Sequence, residues 1–216
     1  MRGADTDHGF ADTDHGFASC HGFASPGPFA VLAVALLAFF PASWPGTLQA
    51  SPRGREAEPT AQTQAHKDAK HRYAVNLDES WRQLAVPTES LAPLAGFEHP
   101  ASQALLAINR VGYPNLEAWR KRTMPAYKEE IEEGIRATVR GYRPLHSRVH
   151  KLGNVPALDL SFRHHTDGRA EVVLVRFLFF RSYSLSLILS TPARTHRTHL
   201  RRHRGVLESF QPYFGA

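Results

Sequence analysis

Residues 172–191, VVLVRFLFFRSYSLSLILST, constrain the fold of this chain more than any other stretch. As a helix the run would be about long enough to cross a bilayer, which takes about 20 apolar residues. Arg176 and Arg181 argue against that, since each costs about 2.5–3.5 kcal/mol near the centre of a membrane helix. In the second half Leu185, Leu187 and Leu189 alternate with Ser184, Ser186 and Ser190, interrupted only by Ile188. Period two is the mark of a half-buried strand. The stretch therefore reads as two strands, 172–180 and 185–189, turning near residues 181–184.

Other alternating runs extend the sheet. Tyr73, Val75 and Leu77 alternate with polar neighbours, and Trp81 follows. Residues 94–99 and 105–111 read as a hairpin, with Pro100 in the connection where no ladder donor is lost. Leu158, Leu160 and Phe162 alternate with Asp159, Ser161 and Arg163. Gly153-Asn154 and Thr166-Asp167-Gly168-Arg169 supply turns, where glycine accepts the positive φ that tight hairpins require. Residues 142–151 read as a weaker strand.

Two segments have helical period. In 114–140, Tyr127, Ile131, Ile135 and Val139 recur every four residues and predict one apolar stripe, with a kink or break at Pro125. The acidic residues Glu129, Glu130, Glu132 and Glu133 fill the solvated side of that helix. In 195–210, His196, Leu200, His203, Leu207 and Phe210 share a stripe, and Gln211-Pro212 ends it. The predicted order is β-β-β-α-β-β-β-β-α. Short connections between consecutive strands imply an α+β fold, an antiparallel sheet of about six to seven strands flanked by helices.

The amino-terminal third has a different character. Residues 4–10 and 11–17 are the same heptapeptide, Ala-Asp-Thr-Asp-His-Gly-Phe. Repeats that short do not stack into a solenoid, so residues 1–28 are expected to be a disordered repeat tail or a start called too early. Residues 29–40, FAVLAVALLAFF, are apolar without a charge. That length suits the core of a signal peptide, about 7–15 residues, better than a membrane span. Small residues follow, and cleavage after Ala50 would complete a signal-like segment at 29–50. Its flank departs from the pattern, because only Arg2 precedes the core. Residues 51–70 hold no large apolar side chain and read as a polar linker before a domain at 71–216. The one cysteine, Cys20, excludes an intramolecular disulfide framework and any cysteine cage for zinc or iron–sulfur. Residues 51–216 carry 25 Lys and Arg against 16 Asp and Glu, so the basic balance resides outside the leader.

The pattern as a whole resembles the PsbP-like superfamily, which includes PsbP of photosystem II, the Ran-binding Mog proteins and bacterial envelope proteins of the DcrB and LpqN types. The resemblance rests on the Tyr73-x-Val75-x-Leu77 strand followed by Trp81, then a hairpin and a long helix. The strand Leu158-Asp159-Leu160-Ser161-Phe162, the apolar hairpin 172–190 and the ending Val206-Leu207-Glu208-Ser209-Phe210 continue it, over roughly residues 71–213. It implies a β-sheet sandwiched by helices and a non-enzymatic binding or assembly role without a cofactor. It also fits an exported protein, periplasmic or membrane-associated. No metal motif of the photosystem protein can be placed on these residues.

No glycine-rich phosphate loop, nucleophile elbow or zinc-protease motif is present. His199 and His203, spaced i and i+4, could share a metal, but no third ligand lies near them in sequence, and structural histidines are expected instead. Arg194, Arg197, Arg201, Arg202 and Arg204 crowd the last helix. They could meet an anionic lipid surface or an acidic protein, or simply cover the sheet edge with their stems. Nucleic acid fits an exported chain less well, and no aromatic platform accompanies the charge. Two other classes stay open: a hydrolase that gathers histidine beside Asp159 or Glu171, and a nucleic-acid-binding protein using the basic helix. Oligomeric state is not legible.

Overall fold

The computed structural model describes residues 63–86, 93–112, 123–166 and 168–214. The strands in chain order are β1 (Thr63–Asp68), β2 (Tyr73–Asp78), β3 (Arg82–Gln83), β4 (Ala95–His99) and β5 (Ala104–Gly112). Helix α1 (Met124–Thr138) precedes β6 (Arg143–Leu152), β7 (Val155–Thr166), β8 (Arg169–Phe179) and β9 (Tyr183–Pro192). The chain closes with α2 (Ala193–His196), α3 (Leu200–Ser209) and β10 (Gln211–Pro212).

Seven strands form one antiparallel sheet in the order β3-β4-β5-β9-β8-β7-β6. Tyr127, Ile131, Ile135 and Val139 of the α1 side pack on one face, over Leu158, Leu160, Phe162, Val173, Val175 and Phe177. The other face is covered by a three-stranded sheet, β1-β2-β10, and by α3. There Tyr73, Val75 and Leu77 meet Val206, Leu207 and Phe210 above Leu106, Ile108, Leu185 and Leu187. The chain is thus an α+β fold with its main sheet clad on both faces.

Several expectations are refined by the packing. Pro125 stands at the start of α1, where a kink or break was expected. It sits in the first turn of α1, where a missing N–H costs nothing. Residues 63–68 of the expected linker are β1, pairing with β2 from Thr63↔Asp78 to Asp68↔Tyr73. An edge strand needs backbone partners rather than apolar side chains, and β1 is mostly exposed. The Leu/Ser alternation of β9 does not mark a wet face. Ser184, Ser186 and Ser190 are buried, because β9 lies mid-sheet and α1 lies over that side. The last helix is interrupted at residues 197–199. The repeat, the apolar run 29–40, Cys20, residues 51–62 and the turn at Leu116 and Trp119 lie outside the described residues. Among the described residues, no helix is long and apolar enough to cross a membrane.

Candidate functional site

The ends of β4 and β9 bring two short segments together. The turn of residues 100–103 leaves β4, and α2 starts where β9 ends. Thr195 Oγ1 donates to the Ser102 carbonyl at 2.8 Å, and Arg194 Nη2 donates to Gln103 Oε1 at 2.8 Å. Thr191 Oγ1 reaches the same Ser102 carbonyl at 3.4 Å. Gln103 adopts φ 54°, the left-handed geometry that lets the turn close.

Beneath this junction lies a chain of histidines. The ring of His99 stands 5.3 Å from Trp81 and 5.7 Å from His199. His203 stands 5.9 Å from His199 and 5.7 Å from His196. Ser102 bridges the cluster, its Oγ 2.8 Å from His99 Nδ1 and 3.3 Å from His203 Nε2. His99, Ser102 and His203 are fully buried. Burial pushes His203 down to about 3, helped by the other histidines and by Arg202. His99 is lowered by burial and then by Arg202, whose Nη1 lies 2.6 Å from its Nε2. His196 is lowered by burial and then by Arg163 and Arg204. His99, His196 and His203 are therefore held towards the neutral form within a packing core.

His199 and His203 do approach each other. Yet among the described residues no three His, Cys, Asp or Glu side chains are grouped to hold a metal. The acidic residues of α1 gather no ligand set either. Lys128 pairs with Glu132 at 3.4 Å along the helix.

The five arginines separate into two groups. Arg194, Arg197, Arg201 and Arg204 are exposed and form no salt bridge among the described residues. Arg202 turns inward, with Nε 3.2 Å from Asp78 Oδ2 and its guanidinium against His99. Leu200, Arg201, Arg204, Gly205 and Glu208 line a shallow open depression of about 370 Å³ on α3.

The two carboxylates that the hydrolase alternative would need, Asp159 and Glu171, each stand near a histidine. Asp159 Oδ2 lies 3.1 Å from His150 Nε2 and accepts a two-pronged bond from Arg176, at 2.6 and 2.7 Å. Arg176 Nη1 also donates to the carbonyls of Glu208 and Phe210, at 3.2 and 3.4 Å. This satisfies the carbonyl end of α3 and ties it to the sheet. Glu171 Oε2 lies 3.4 Å from His164 Nε2 and accepts from Ser190 Oγ at 2.6 Å. The His164 hydrogen bond holds Glu171 below its usual value. In that trio the carboxylate sits between histidine and hydroxyl, so the imidazole does not stand at the serine as a base. His203 and His99, which burial pushes down, belong to the other cluster.

Sequence reasoning missed His99 and Ser102, the two residues that join the histidines into a unit. A single histidine before a proline carries no pattern of its own, and only the hairpin geometry brings it under α3. Arg176 was legible as an obstacle to a membrane helix, but not as the residue that binds α3.

The architecture defines a class, an α+β sandwich with one large antiparallel sheet. No family model matches the sequence, and no curated protein matches it. Among solved structures the chain is similar to cyanobacterial PsbP (CyanoP) from Synechocystis sp. PCC 6803. The identity is 14%, the match covers 74% of this chain and 98% of that one, and the TM-score is 0.53. It is also similar to LpqN, involved in cell envelope biogenesis of Mycobacterium tuberculosis, at 15% identity over 72% of this chain and 94% of that one, with a TM-score of 0.48. The chain has a PsbP-like fold, as the element order implied.

Proposed function

We propose that this protein is an exported, non-enzymatic binding module of the cell envelope, and that it engages an anionic lipid surface through α2 and α3. The observation that carries the reading is the exposed set Arg194, Arg197, Arg201 and Arg204, which has no carboxylate partner among the described residues. Arginines near an anionic membrane contribute about 1 kcal/mol each. They project from α2, α3 and the turn between them, which Arg176 ties to the sheet and Thr195 ties to the β4–β5 turn, so little ordering is needed on binding. The signal-like run at 29–40 and the absence of cysteine beyond Cys20 support export.

Co-sedimentation with vesicles tests this. Binding to vesicles containing phosphatidylglycerol, weakened by salt and absent with phosphatidylcholine alone, is expected. The variant R194Q/R197Q/R201Q/R204Q should bind at least a hundredfold more weakly. Equal binding by the variant would sink the reading. Retention by an acidic protein in place of vesicles would move the partner to that class. Intact-mass analysis of the protein from its native cells should find an amino terminus at Ser51.

A further inference from the structure

The main sheet carries a second pair of basic residues that the helix pattern does not reveal. Across the main sheet, Arg143 of β6 is paired with Arg163 of β7, Arg163 with Val172 of β8, and Val172 with Thr191 of β9. Residues on one rung share a face, and Val172 belongs to the core under α3. Arg143 and Arg163 therefore rise from the α3 side of the sheet. Both are exposed, and neither forms a salt bridge among the described residues. Like charges directly opposite each other on neighbouring strands are destabilising.

The nearby carboxylates are already engaged. Asp159, on the same face, is held by Arg176, with His150 Nε2 3.1 Å away, and Glu171, next to Val172 but on the α1 face, is held by His164 and Ser190. Glu208 lies farther along α3, at the depression. α2, which carries His196, packs against β8 and β9, and after burial itself the charges of Arg163 and Arg204 both hold the His196 imidazole below its usual value. His196 Nδ1 is buried with no hydrogen-bond partner among the described residues. β6 is an edge strand, and it also exposes Leu145 between Arg143 and Arg148.

We propose that Arg143, Arg163, Arg204 and His196 form a site for the phosphate of an anionic lipid headgroup, at the junction of β6, β7 and α3. Guanidinium forks match phosphate oxygens in pairs, and a bound phosphate would relieve the facing arginines. The lipid source is argued from Leu145, an exposed apolar side chain two residues from Arg143 on the same edge strand, which can sit below the headgroup plane. The assignment rests on the proposed membrane reading and adds a specific pocket on the strand side to it.

The test uses the full chain and the double variant R143Q/R163Q, which leaves every helix arginine in place. Three measurements apply: partition onto phosphatidylglycerol vesicles, NMR titration of the His196 ring, and melting temperature. The double variant should bind vesicles about tenfold more weakly and should melt no lower than the parent, because a repelling pair is removed. Short-chain phosphatidylglycerol should raise the His196 pKa in the parent and leave it unmoved in R143Q/R163Q. Parent-like vesicle affinity in the double variant, with the quadruple helix variant still defective, would overturn this site and leave the membrane reading intact. No vesicle binding by the parent, with no response of His196 to inorganic phosphate, would overturn both. A His196 response to inorganic phosphate without vesicle binding would overturn the lipid source.

Discussion

Acidification should unlock the junction between the β4–β5 turn and the last helices. His203 is fully buried and held near 3, whereas an unfolded histidine titrates near 6.5. A lowered folded value means that the unfolded chain takes up the proton first as pH falls. The stability is present above pH 6.5 and is lost progressively below it. Between pH 7 and pH 5 the linkage for His203 alone comes to about 2 kcal/mol. That figure depends on the unfolded value and hardly on how far below 5 the folded one lies. The groups facing His203 are His99 from β4, His196 from α2, His199 between the helices, Arg202 from α3, and the Ser102 hydroxyl. All the titratable ones that face it are basic, so nothing among them compensates a new positive charge. Glu171 adds loss only as pH falls past its ordinary value of 4.5. Urea unfolding at pH 7, 6 and 5 measures the slope. His203→Leu keeps the volume and leaves Ser102 bonded to His99, so its loss over the same interval should be smaller by about 2 kcal/mol. A parent whose stability is flat from pH 7 to 5, or an unchanged slope in His203→Leu, would refute the reasoning.

Breaking the buried ion pair should be costly. Arg176→Met leaves Asp159 with His150 alone and frees the carbonyls of α3, at about 3–5 kcal/mol in urea denaturation. Ile135→Ala empties space between α1 and the sheet and should lower stability by about 2–5 kcal/mol in the same assay. Gly141 sits at φ +68°, and an added Cβ would meet His165 Nδ1 at 3.1 Å. Gly141→Ala should therefore cost about 1 kcal/mol or more, read as a lower melting temperature.

What the sequence showed and what it hid follow from the kind of force involved. Burial writes itself into residue type, so Tyr73, Val75 and Leu77 and the Tyr127–Val139 stripe were legible. Backbone pairing does not. β1, with its Thr63-Gln64-Ala65-His66 start, is built from polar residues and is visible only once β2 is there to receive it. The serines of β9 misled because small hydroxyls suit both water and the tight space beneath a helix. Of the five arginines, Arg194, Arg197, Arg201 and Arg204 are exposed. Arg202 departs because Asp78 and His99 come from strands distant in sequence. The partnership of Arg143 with Arg163 is likewise a product of register, not of proximity along the chain.

The small sheet has a consequence for how the protein comes into being. β2 is clasped by β1 from before it and by β10 from near the other end, and the Asn76 N–H bonds Ser209 Oγ across 133 residues of sequence. Contacts of that span form late, because a long loop must close before they repay it. The early strands therefore wait for the last helix before their buried face is covered. Until Phe210 has been made, Tyr73, Val75 and Leu77 lack the last-helix residues that they pack against.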